Sequence, residues 1–296
     1  MKCFVIKAVS GFFYLETADG LLEAKARGVL KREGVSPVAG DWVETETENG
    51  QCVISRVCPR KNYFIRPPMA NIDKLLIVSS QSTPRPNTLL IDRLIAIAER
   101  KQITPVLIFN KADLGDFAPG LLDAYEKAGI SYYVLSCIGE AGGLDAVRAE
   151  LRERVCAFVG NSGVGKSTLL NRLIGRQRQH TGDVSQKLGR GRHTTRQVEM
   201  VPLADGGYIA DTPGFSTIDM QAYETFYKED LPHVFREFAP FLGRCRFSTC
   251  THTNEPGCAV LAAVERGDIA KSRHESYVAM FQEVKDLQPW QVKGKK

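Results

Sequence analysis

The sequence has 296 residues, of which 43% are hydrophobic and 25% are charged. This ordinary globular usage excludes collagen-like, low-complexity and disulfide-scaffold proteins, and the length allows two domains with a small third. The 39 Lys and Arg residues exceed the 34 Asp and Glu residues by a formal net charge of +5, so the placement of the excess matters more than its size.

The sequence lacks the signals of a membrane or exported protein. No segment reaches the roughly 18 apolar residues that cross a bilayer. The apolar start at residues 3–6 is interrupted by Lys7 before a signal-peptide core could form. We therefore expect a cytoplasmic protein with no membrane partner, in which the eight cysteines serve as thiols or metal ligands and not as disulfides.

Residues 1–66 contain short apolar segments separated by turns. Asp19-Gly20 and Asn49-Gly50 each lie between two such segments, and both pairs favour the positive φ of a tight hairpin. This pattern predicts a small β-barrel of the oligonucleotide-binding (OB) type, although many small barrels share it. Arg66-Pro67-Pro68-Met69 is expected to end strand pairing and to mark the boundary of the first domain.

Residues 67–218 alternate apolar runs with helical periodicity. The helix after the first run has Leu90, Ile91, Leu94, Ile95 and Ala98 on one face. Strands that alternate with helices predict an α/β domain with a mainly parallel sheet and with ligands at the carboxyl ends of its strands. The predicted strands are 75–78, 105–109, 133–135, 156–159 and 208–210.

A phosphate-binding loop follows the fourth of these strands and opens a helix, in the pattern G-x-x-x-x-G-K-[ST]. Its inward-facing N–H groups and the helix dipole suit phosphate oxygens, and a glycine-rich turn without a ligand is a weak alternative in this context. Lys166 is expected to bridge the β- and γ-phosphates, and Ser167 to bind Mg²⁺. The predicted nucleotide contacts are Gly160, Asn161, Ser162, Gly163, Val164, Gly165, Lys166, Ser167 and Thr168.

The segment Asn110-Lys111-Ala112-Asp113, which follows the second strand, predicts which base the bound nucleotide carries. The Asp113 carboxylate can accept hydrogen bonds from the ring N–H and the exocyclic amine of guanine, whereas adenine has no such pair of donors. Asn110 is expected to brace the loop and reach the purine, and the stem of Lys111 to lie on its face. Ser136 and Cys137, after the third strand, are placed to offer a backbone N–H to the guanine carbonyl.

Asp211-Thr212-Pro213-Gly214 follows the fifth strand. The short D-x-x-G pattern is common by chance and is informative only because it follows a strand downstream of the phosphate loop. At this position Asp211 could hold the hydration shell of Mg²⁺, and Gly214 could sense the γ-phosphate. Thr194 or Thr195, with Thr195 favoured, is expected to close over Mg²⁺. Two ordinary loop threonines are the alternative.

Residues 219–296 contain Cys245, Cys250, His252 and Cys258 within fourteen residues. Three thiolates and one imidazole make a closed tetrahedral set for structural zinc, which would stabilise a region too small for a large core. The spacing is not that of the commonest zinc finger, so three buried thiols and a surface histidine remain the alternative.

Seven basic residues and one acid fall between Arg172 and Arg196. Such a run is either a solvated loop or a surface that meets the phosphates of a nucleotide or a nucleic acid.

The motifs stand in an unusual order, with the guanine-reading loop at 110, the phosphate loop at 160 and the D-x-x-G loop at 211. In this order, and in Gly40-Asp41-Trp42-Val43, Gly191-Arg192-His193-Thr194-Thr195-Arg196 and the cysteine cluster, the sequence resembles the circularly permuted GTPases. Within them it is similar to the ribosome-small-subunit-dependent GTPases of the RsgA type, over essentially the whole chain.

The resemblance implies a multidomain fold: an OB-like barrel at 1–66, a permuted GTPase domain at 67–218 and a mainly helical zinc-binding domain at 219–296. It also implies GTP hydrolysis with Mg²⁺, late assembly of the small ribosomal subunit, contact with its rRNA, and zinc on the Cys₃His cluster. A monomer is expected.

Phe215 occupies the place where many GTPases have a water-orienting Gln, so intrinsic hydrolysis is expected to be slow. The resemblance and its neighbourhood suggest His193 for this role. Two alternatives remain: an RNA-binding adaptor whose nucleotide is structural, and a small-molecule kinase that shares the phosphate loop.

Overall fold

The computed structural model describes residues 1–138, 143–175, 198–211 and 226–287. None of the helices in these ranges has the length and apolar character needed to cross a membrane.

The amino-terminal region is a closed five-stranded barrel. Its strands are β1 (Lys2–Val9), β2 (Phe12–Thr17), β3 (Gly20–Ala26), β4 (Trp42–Glu48) and β5 (Gln51–Val57), with the one-turn helix α1 (Gly28–Arg32) after β3. The strand order is β1-β2-β3-β5-β4, and β4 pairs back with β1 to close the barrel. The alternating inward side chains, among them Val5, Leu15, Val43 and Ile54, form a core of their own. The predicted OB-like barrel is confirmed, with tight turns at Ala18-Asp19, one residue before the expected Asp19-Gly20, and at Asn49-Gly50.

A short hairpin connects the barrel to the rest of the chain. Strands β6 (Tyr63–Phe64) and β7 (Met69–Ala70) pair through Phe64 and Met69. The expectation that pairing stops throughout 66–69 is therefore wrong at Met69: Pro67 and Pro68, which lack N–H donors, lie in the turn, and pairing resumes after it.

The central region is a parallel α/β sheet. Its strands are β8 (Lys74–Ser80), β9 (Thr104–Asn110), β10 (Ser131–Val134), β11 (Val155–Val159), β12 (Glu199–Pro202) and β13 (Tyr208–Asp211). The order is β10-β9-β8-β11-β13-β12, and all neighbours are parallel except the β12–β13 pair. All five predicted strands are present, whereas β12 was not predicted because its four residues show no distinctive pattern.

Helices cover the two faces of this sheet. They are α2 (Thr88–Arg100), α3 (Leu121–Lys127), α4 (Leu144–Leu151) and α5 (Lys166–Ile174). The predicted apolar face of α2 is buried at Ile91, Leu94, Ile95 and Ala98. Leu169 and Leu170 of α5 pack with Val147 of α4 in a separate core on the other face of the sheet.

The carboxy-terminal region packs against α2. It contains two short 3₁₀ helices (Leu231–Val234 and Arg236–Phe241) and the helices α6 (Ala259–Arg266) and α7 (Lys271–Val284). Phe235, Phe238 and Tyr277 are buried in the same core as Leu94 and Ile95. This region therefore shares its hydrophobic core with the central sheet.

The barrel and the central sheet form one continuous eleven-stranded sheet. The junction is the antiparallel pair of β1 with β12, at Lys7 and Glu199. Phe4 of the barrel stacks on Tyr208 of β13 with ring centroids 4.4 Å apart, and the Tyr208 hydroxyl donates to Glu16.

Candidate functional site

The phosphate loop lies at the carboxyl end of β11, where the sequence places it. Gly160 has φ +152°, and a Cβ there would lie 2.2 Å from the carbonyl oxygen of Val78, so no larger residue fits. Gly165 caps α5 with φ +97°, and the N-terminus of this helix faces the loop. Free N–H groups and a helix dipole at this point make a site for an anion.

Lys166 is the first residue of α5 and folds back over the loop. Its Nζ donates to the carbonyl oxygens of Gly160 (2.6 Å) and Asn161 (2.7 Å). Partial burial lowers the pKa of Lys166, because the charged form loses solvation. An anion in the loop would restore the favourable surroundings of this charge.

Asn110 joins the two nucleotide loops. It ends β9, is buried, and donates from Nδ2 to the carbonyl oxygen of Val164 at 2.8 Å. Its Oδ1 accepts from the backbone N–H of Cys137 at 3.1 Å. The expected bracing role of Asn110 is thus visible in its contacts, which hold the 110–113, 136–138 and 160–167 loops together.

Asp113 lies in a 3₁₀ turn just beyond Asn110, with its side chain at the surface. Ser136 donates its hydroxyl to the Asp113 carboxylate. Lys111 adopts a left-handed backbone (φ +64°), and its Nζ donates to the carbonyl oxygen of Thr83 at 2.8 Å. Ser136 therefore orients the carboxylate, while the N–H groups of Cys137 and Ile138 donate within the loops, to Asn110 and Ser136 respectively.

The segment 81–87, between β8 and α2, also borders the site, and sequence reasoning missed it. Pro84 and Asn87 line a cavity together with Gly160 and Asn161. Gln81 donates from its backbone N–H to the carbonyl oxygen of Asn110 at 3.0 Å. A signal was available in the sequence, because the segment follows a buried strand of the same sheet edge as the two loops.

Asp211 ends β13, next to β11, at the carboxyl edge of the sheet. It therefore lies at the edge from which the phosphate loop emerges. Thr168 lies in the first turn of α5. The predicted residues His193, Thr194, Thr195 and Gly214 lie outside the described residues, as does most of the basic run that begins at Arg172.

A second cluster of chemical groups lies at the far end of the carboxy-terminal region. The ligand atoms of Cys245, Cys250, His252 and Cys258 all lie within 4.8 Å of one another. Nδ1 of His252 is 3.5 Å from the sulfurs of both Cys245 and Cys258. This Cys₃His cluster could hold one metal ion, and all four predicted ligands belong to it.

Contacts around the cluster fix the loop that carries His252. Glu255 accepts hydrogen bonds from the backbone N–H groups of Thr251 (2.7 Å), Thr253 (3.0 Å) and Asn254 (3.1 Å). Burial alone would raise the pKa of Glu255, but the hydroxyl and backbone N–H of Thr251, together with the N–H groups of Glu255 and Asn254, lower it to about 2. Glu255 is a supporting residue that the spacing of the cysteines could not reveal.

The barrel offers an exposed aromatic side chain with a nearby cation. Trp42 is 41% exposed, and Lys2 Nζ lies 5.2 Å from the centroid of its ring. Arg27 of the barrel is engaged in ion pairs with Glu46 and Glu48. Trp42 with Lys2 is therefore a candidate nucleic-acid contact of the barrel.

The chain matches known proteins along its whole length. The family described as RsgA GTPase matches residues 57–221, and the RsgA N-terminal domain matches residues 3–54. The small ribosomal subunit biogenesis GTPase RsgA of Caldanaerobacter subterraneus subsp. tengcongensis is 40% identical over 98% of each chain. The protein of the same name from Streptococcus pneumoniae is 41% identical over 95% of this chain and 94% of its own.

Solved structures agree with this assignment. YjeQ from Thermotoga maritima is 31% identical and superposes with a TM-score of 0.78 over 97% of this chain and 99% of its own. YloQ, described as a circularly permuted GTPase, is 29% identical, with a TM-score of 0.77 over 97% of this chain and 96% of its own. Since the family match covers more than half of the chain and the bridge at Asn110 joins the two nucleotide loops in permuted order, the chain belongs to the RsgA GTPase family.

Proposed function

We propose that this chain hydrolyses GTP as a switch in the late maturation of the small ribosomal subunit, binds rRNA, and is stimulated by that subunit. The observation that carries the proposal is the 2.8 Å hydrogen bond from Asn110 to the carbonyl oxygen of Val164, which joins the loop for the base to the loop for the phosphates. The names of the curated relatives support the ribosomal partner. The protein acts in the cytoplasm as a monomer.

In this proposal the two loops divide the recognition of GTP or GDP. Asp113, oriented by Ser136, accepts from the guanine edge. The segment of Ser136 and Cys137 offers a backbone N–H to the guanine carbonyl. Lys166 leaves the carbonyl oxygens of Gly160 and Asn161 and turns to the β- and γ-phosphates. Ser167 and Thr195 would hold Mg²⁺, which supplies positive charge to the terminal phosphates, and Asp211 would hold its water.

The hydrolysis step needs a residue that orients water. We assign this role to His193, since Phe215 occupies the place of the Gln that many GTPases use. Gly214 senses the γ-phosphate through its N–H. Ordering of the basic segment up to Arg196 by GTP then favours the ribosome-bound form, and hydrolysis releases it.

We infer zinc as the metal of the Cys₃His cluster. Tetrahedral zinc with Zn–S of about 2.3 Å and Zn–N of about 2.0–2.1 Å separates two sulfurs by about 3.8 Å and a sulfur from a nitrogen by about 3.5 Å. Cys245 Sγ and Cys258 Sγ are 3.9 Å apart, and each is 3.5 Å from His252 Nδ1. Four protein ligands leave no position for substrate, so the metal is structural.

The decisive measurement is hydrolysis of GTP and of ATP, each with and without purified small ribosomal subunits. We expect hydrolysis of GTP only, with stimulation by the subunits of at least about tenfold, equivalent to about 1.4 kcal/mol of the barrier. Equal use of ATP would contradict the role of Asp113. A lack of stimulation would favour the adaptor, in which Lys166→Ala preserves RNA binding.

The variant Asp113→Asn tests recognition of the guanine base directly. Loss of two charge-assisted hydrogen bonds, each worth about 1.5–3 kcal/mol, predicts at least about a 100-fold loss of GDP affinity by calorimetry. Asp116→Asn is the matched control, since Asp116 is exposed in the same segment and its backbone carbonyl accepts a hydrogen bond from Gln81.

His193→Ala tests the catalytic assignment. We expect subunit-stimulated turnover to fall by about 10²-fold or more, the scale of proton-transfer and water-orienting groups, while GDP affinity is unchanged. His180→Ala, in the same basic segment, is the control. Stimulated turnover within a factor of about two of the original protein would remove His193 from the mechanism.

A further inference from the structure

Arg273 of α7 lies in the interface between the carboxy-terminal region and the central sheet. It is 1% exposed and is the largest fully buried side chain of the described residues. Its Nη1 donates to Asp92 of α2 at 2.7 Å, and its Nε donates to Glu237 at 2.7 Å. The guanidinium also lies 5.9 Å from the ring centroid of Tyr125 on α3. One side chain thus contacts three separate parts of the fold.

The charge of Arg273 is held firmly in place. Burial alone would lower its pKa, but the carboxylates of Asp92 and Glu237 outweigh this effect and raise it. A buried cation that loses a partner is strongly unfavourable, so α2 and α7 are constrained to move together. Arg93 and Glu283, paired at 2.6 Å at the surface, add a second link between the same two helices.

Directly after Arg273, two side chains of α7 contact the loop that carries His252 of the Cys₃His cluster. Nε2 of His274 lies 2.8 Å from the carbonyl oxygen of His252, and the Tyr277 hydroxyl donates to the carbonyl oxygen of Thr251 at 2.7 Å. His252 is itself a ligand candidate of the Cys₃His cluster. The position of α7 therefore depends on the loop that a metal would order.

On the other side of this interface, Asp92 lies on α2 and Tyr125 on α3. The segment 81–87 leads into α2, and its last residue, Asn87, caps the helix and lines the same cavity as Gly160 and Asn161 of the phosphate loop. The chain from Lys111 leads through the turn at Asp113 towards α3. A nucleotide that orders the segment 81–87 and the loop at Asp113 therefore acts on the chain that leads into both helices.

Asp92 and Tyr125 also interact directly with each other across α2 and α3. Burial raises the pKa of Tyr125, and the nearby Asp92 carboxylate raises it further. Asp92 Oδ2 and the Tyr125 hydroxyl are both buried and make no hydrogen bond of normal geometry within the described residues. The interaction of this pair therefore rests mainly on charge, and it joins α2 to α3 beside Arg273.

We propose that Arg273 is a positioning residue for the nucleotide site, and that through Asp92 and Tyr125 it makes metal binding at the Cys₃His cluster and guanine-nucleotide binding mutually reinforcing. The proposal rests on the proposed function for the identity of the nucleotide and the metal. Each ligand orders part of the same interface. The second ligand to bind therefore has a smaller conformational-entropy cost. By linkage, the factor is the same in both directions.

The test is an equilibrium competition for zinc between the full-length protein and a chromophoric chelator, with and without saturating GDP. We expect GDP to raise the zinc affinity at least about fivefold, the lower end of typical couplings. Calorimetry on the zinc-loaded protein comes first: failure to bind GDP there contradicts the proposed function, whereas binding without any linkage contradicts the coupling alone.

Two variants locate the coupling. Asp92→Asn should reduce the linkage factor to less than about twofold, and Tyr125→Phe, which removes only the hydroxyl, should at least halve it. Asp123→Asn, an exposed change on α3 whose carboxylate pairs with Lys127 at 3.1 Å, should leave the factor intact. A purely structural role would lower the melting temperature without changing the factor. If Asp92→Asn does not fold, Tyr125→Phe alone tests the coupling. An undiminished linkage factor in Tyr125→Phe then overturns the proposal.

Discussion

The Cys₃His cluster and the candidate nucleotide site are assembled in opposite ways. The four donor residues of the cluster lie within fourteen residues of sequence, and their ligand atoms lie within 4.8 Å of one another. The nucleotide site brings together loops that begin near residues 110 and 160 and a strand that ends at Asp211, through the order of the parallel strands. The first site is thus fixed by local spacing, and the second by the arrangement of the whole sheet.

This difference predicts how strongly a single substitution weakens ligand binding at each site. A tetrahedral metal site needs every ligand, so the loss of one should abolish tight binding. The nucleotide loops are held by several separate hydrogen bonds, among them those of Asn110 and Gln81, so single losses should have graded effects.

The largest effect is expected from Cys258→Ser. A serine hydroxyl does not ionise as a thiol does, so zinc affinity should fall by more than the 10–100-fold typical of changes that only affect the support of ligands. Metal content after dialysis against chelator is the measurement. Cys58→Ser, outside the cluster, should keep full content. Unchanged zinc affinity in Cys258→Ser would show that the site is built differently.

An intermediate effect is expected from Asn110→Ala. This change removes the 2.8 Å bond to Val164 and the 3.1 Å bond from Cys137. At about 1 kcal/mol for each hydrogen bond, GDP affinity should fall by roughly 10–100-fold in calorimetry. The zinc content at saturating metal should stay complete. A variant with full GDP affinity would mean that the bridge does not assemble the site.

The smallest effect is expected from Glu150→Gln, in the scaffold of the nucleotide domain. Glu150 pairs with Lys74 at 2.7 Å and accepts from the Tyr133 hydroxyl at 3.0 Å. Burial alone would raise its pKa, but these two partners lower it. The carboxylate therefore stabilises the fold above its unfolded pKa of about 4.3, and this contribution disappears as the pH falls through the lower folded value.

Thermal melts of Glu150→Gln should accordingly show a melting temperature about 2 °C lower than the original protein at pH 7. The difference should vanish at acidic pH, below the pKa of the folded carboxyl group. Glu126→Gln, an exposed change on α3, is the control. A difference that persists unchanged in acid would assign the effect to packing and not to charge.

The sequence predicted the elements well where one signal was strong and local. Asp19-Gly20 and Asn49-Gly50 marked hairpins, the apolar runs marked five strands, and the cysteine spacing marked the cluster. Strand β12 was not predicted because four residues carry too little periodicity to indicate a strand. The Phe64–Met69 pairing escaped because two prolines also suit a turn within a hairpin.

Contacts between distant residues could not be predicted in the same way. Nothing in the spacing of Asp92, Glu237 and Arg273 indicates that the three charges share one buried site. The same holds for Ser136 beside Asp113, whose pairing depends on the adjacency of β9 and β10. Such pairs depend on which strands and helices become neighbours, and that is a property of the complete fold.

The contact between β1 and β12 has a practical consequence. A fragment without the first 57 residues would lose the partner of Glu199 on β12 and uncover the ring of Tyr208. An open strand of this kind is a template for pairing with other chains. We therefore expect truncated forms to self-associate even when their nucleotide loops are intact.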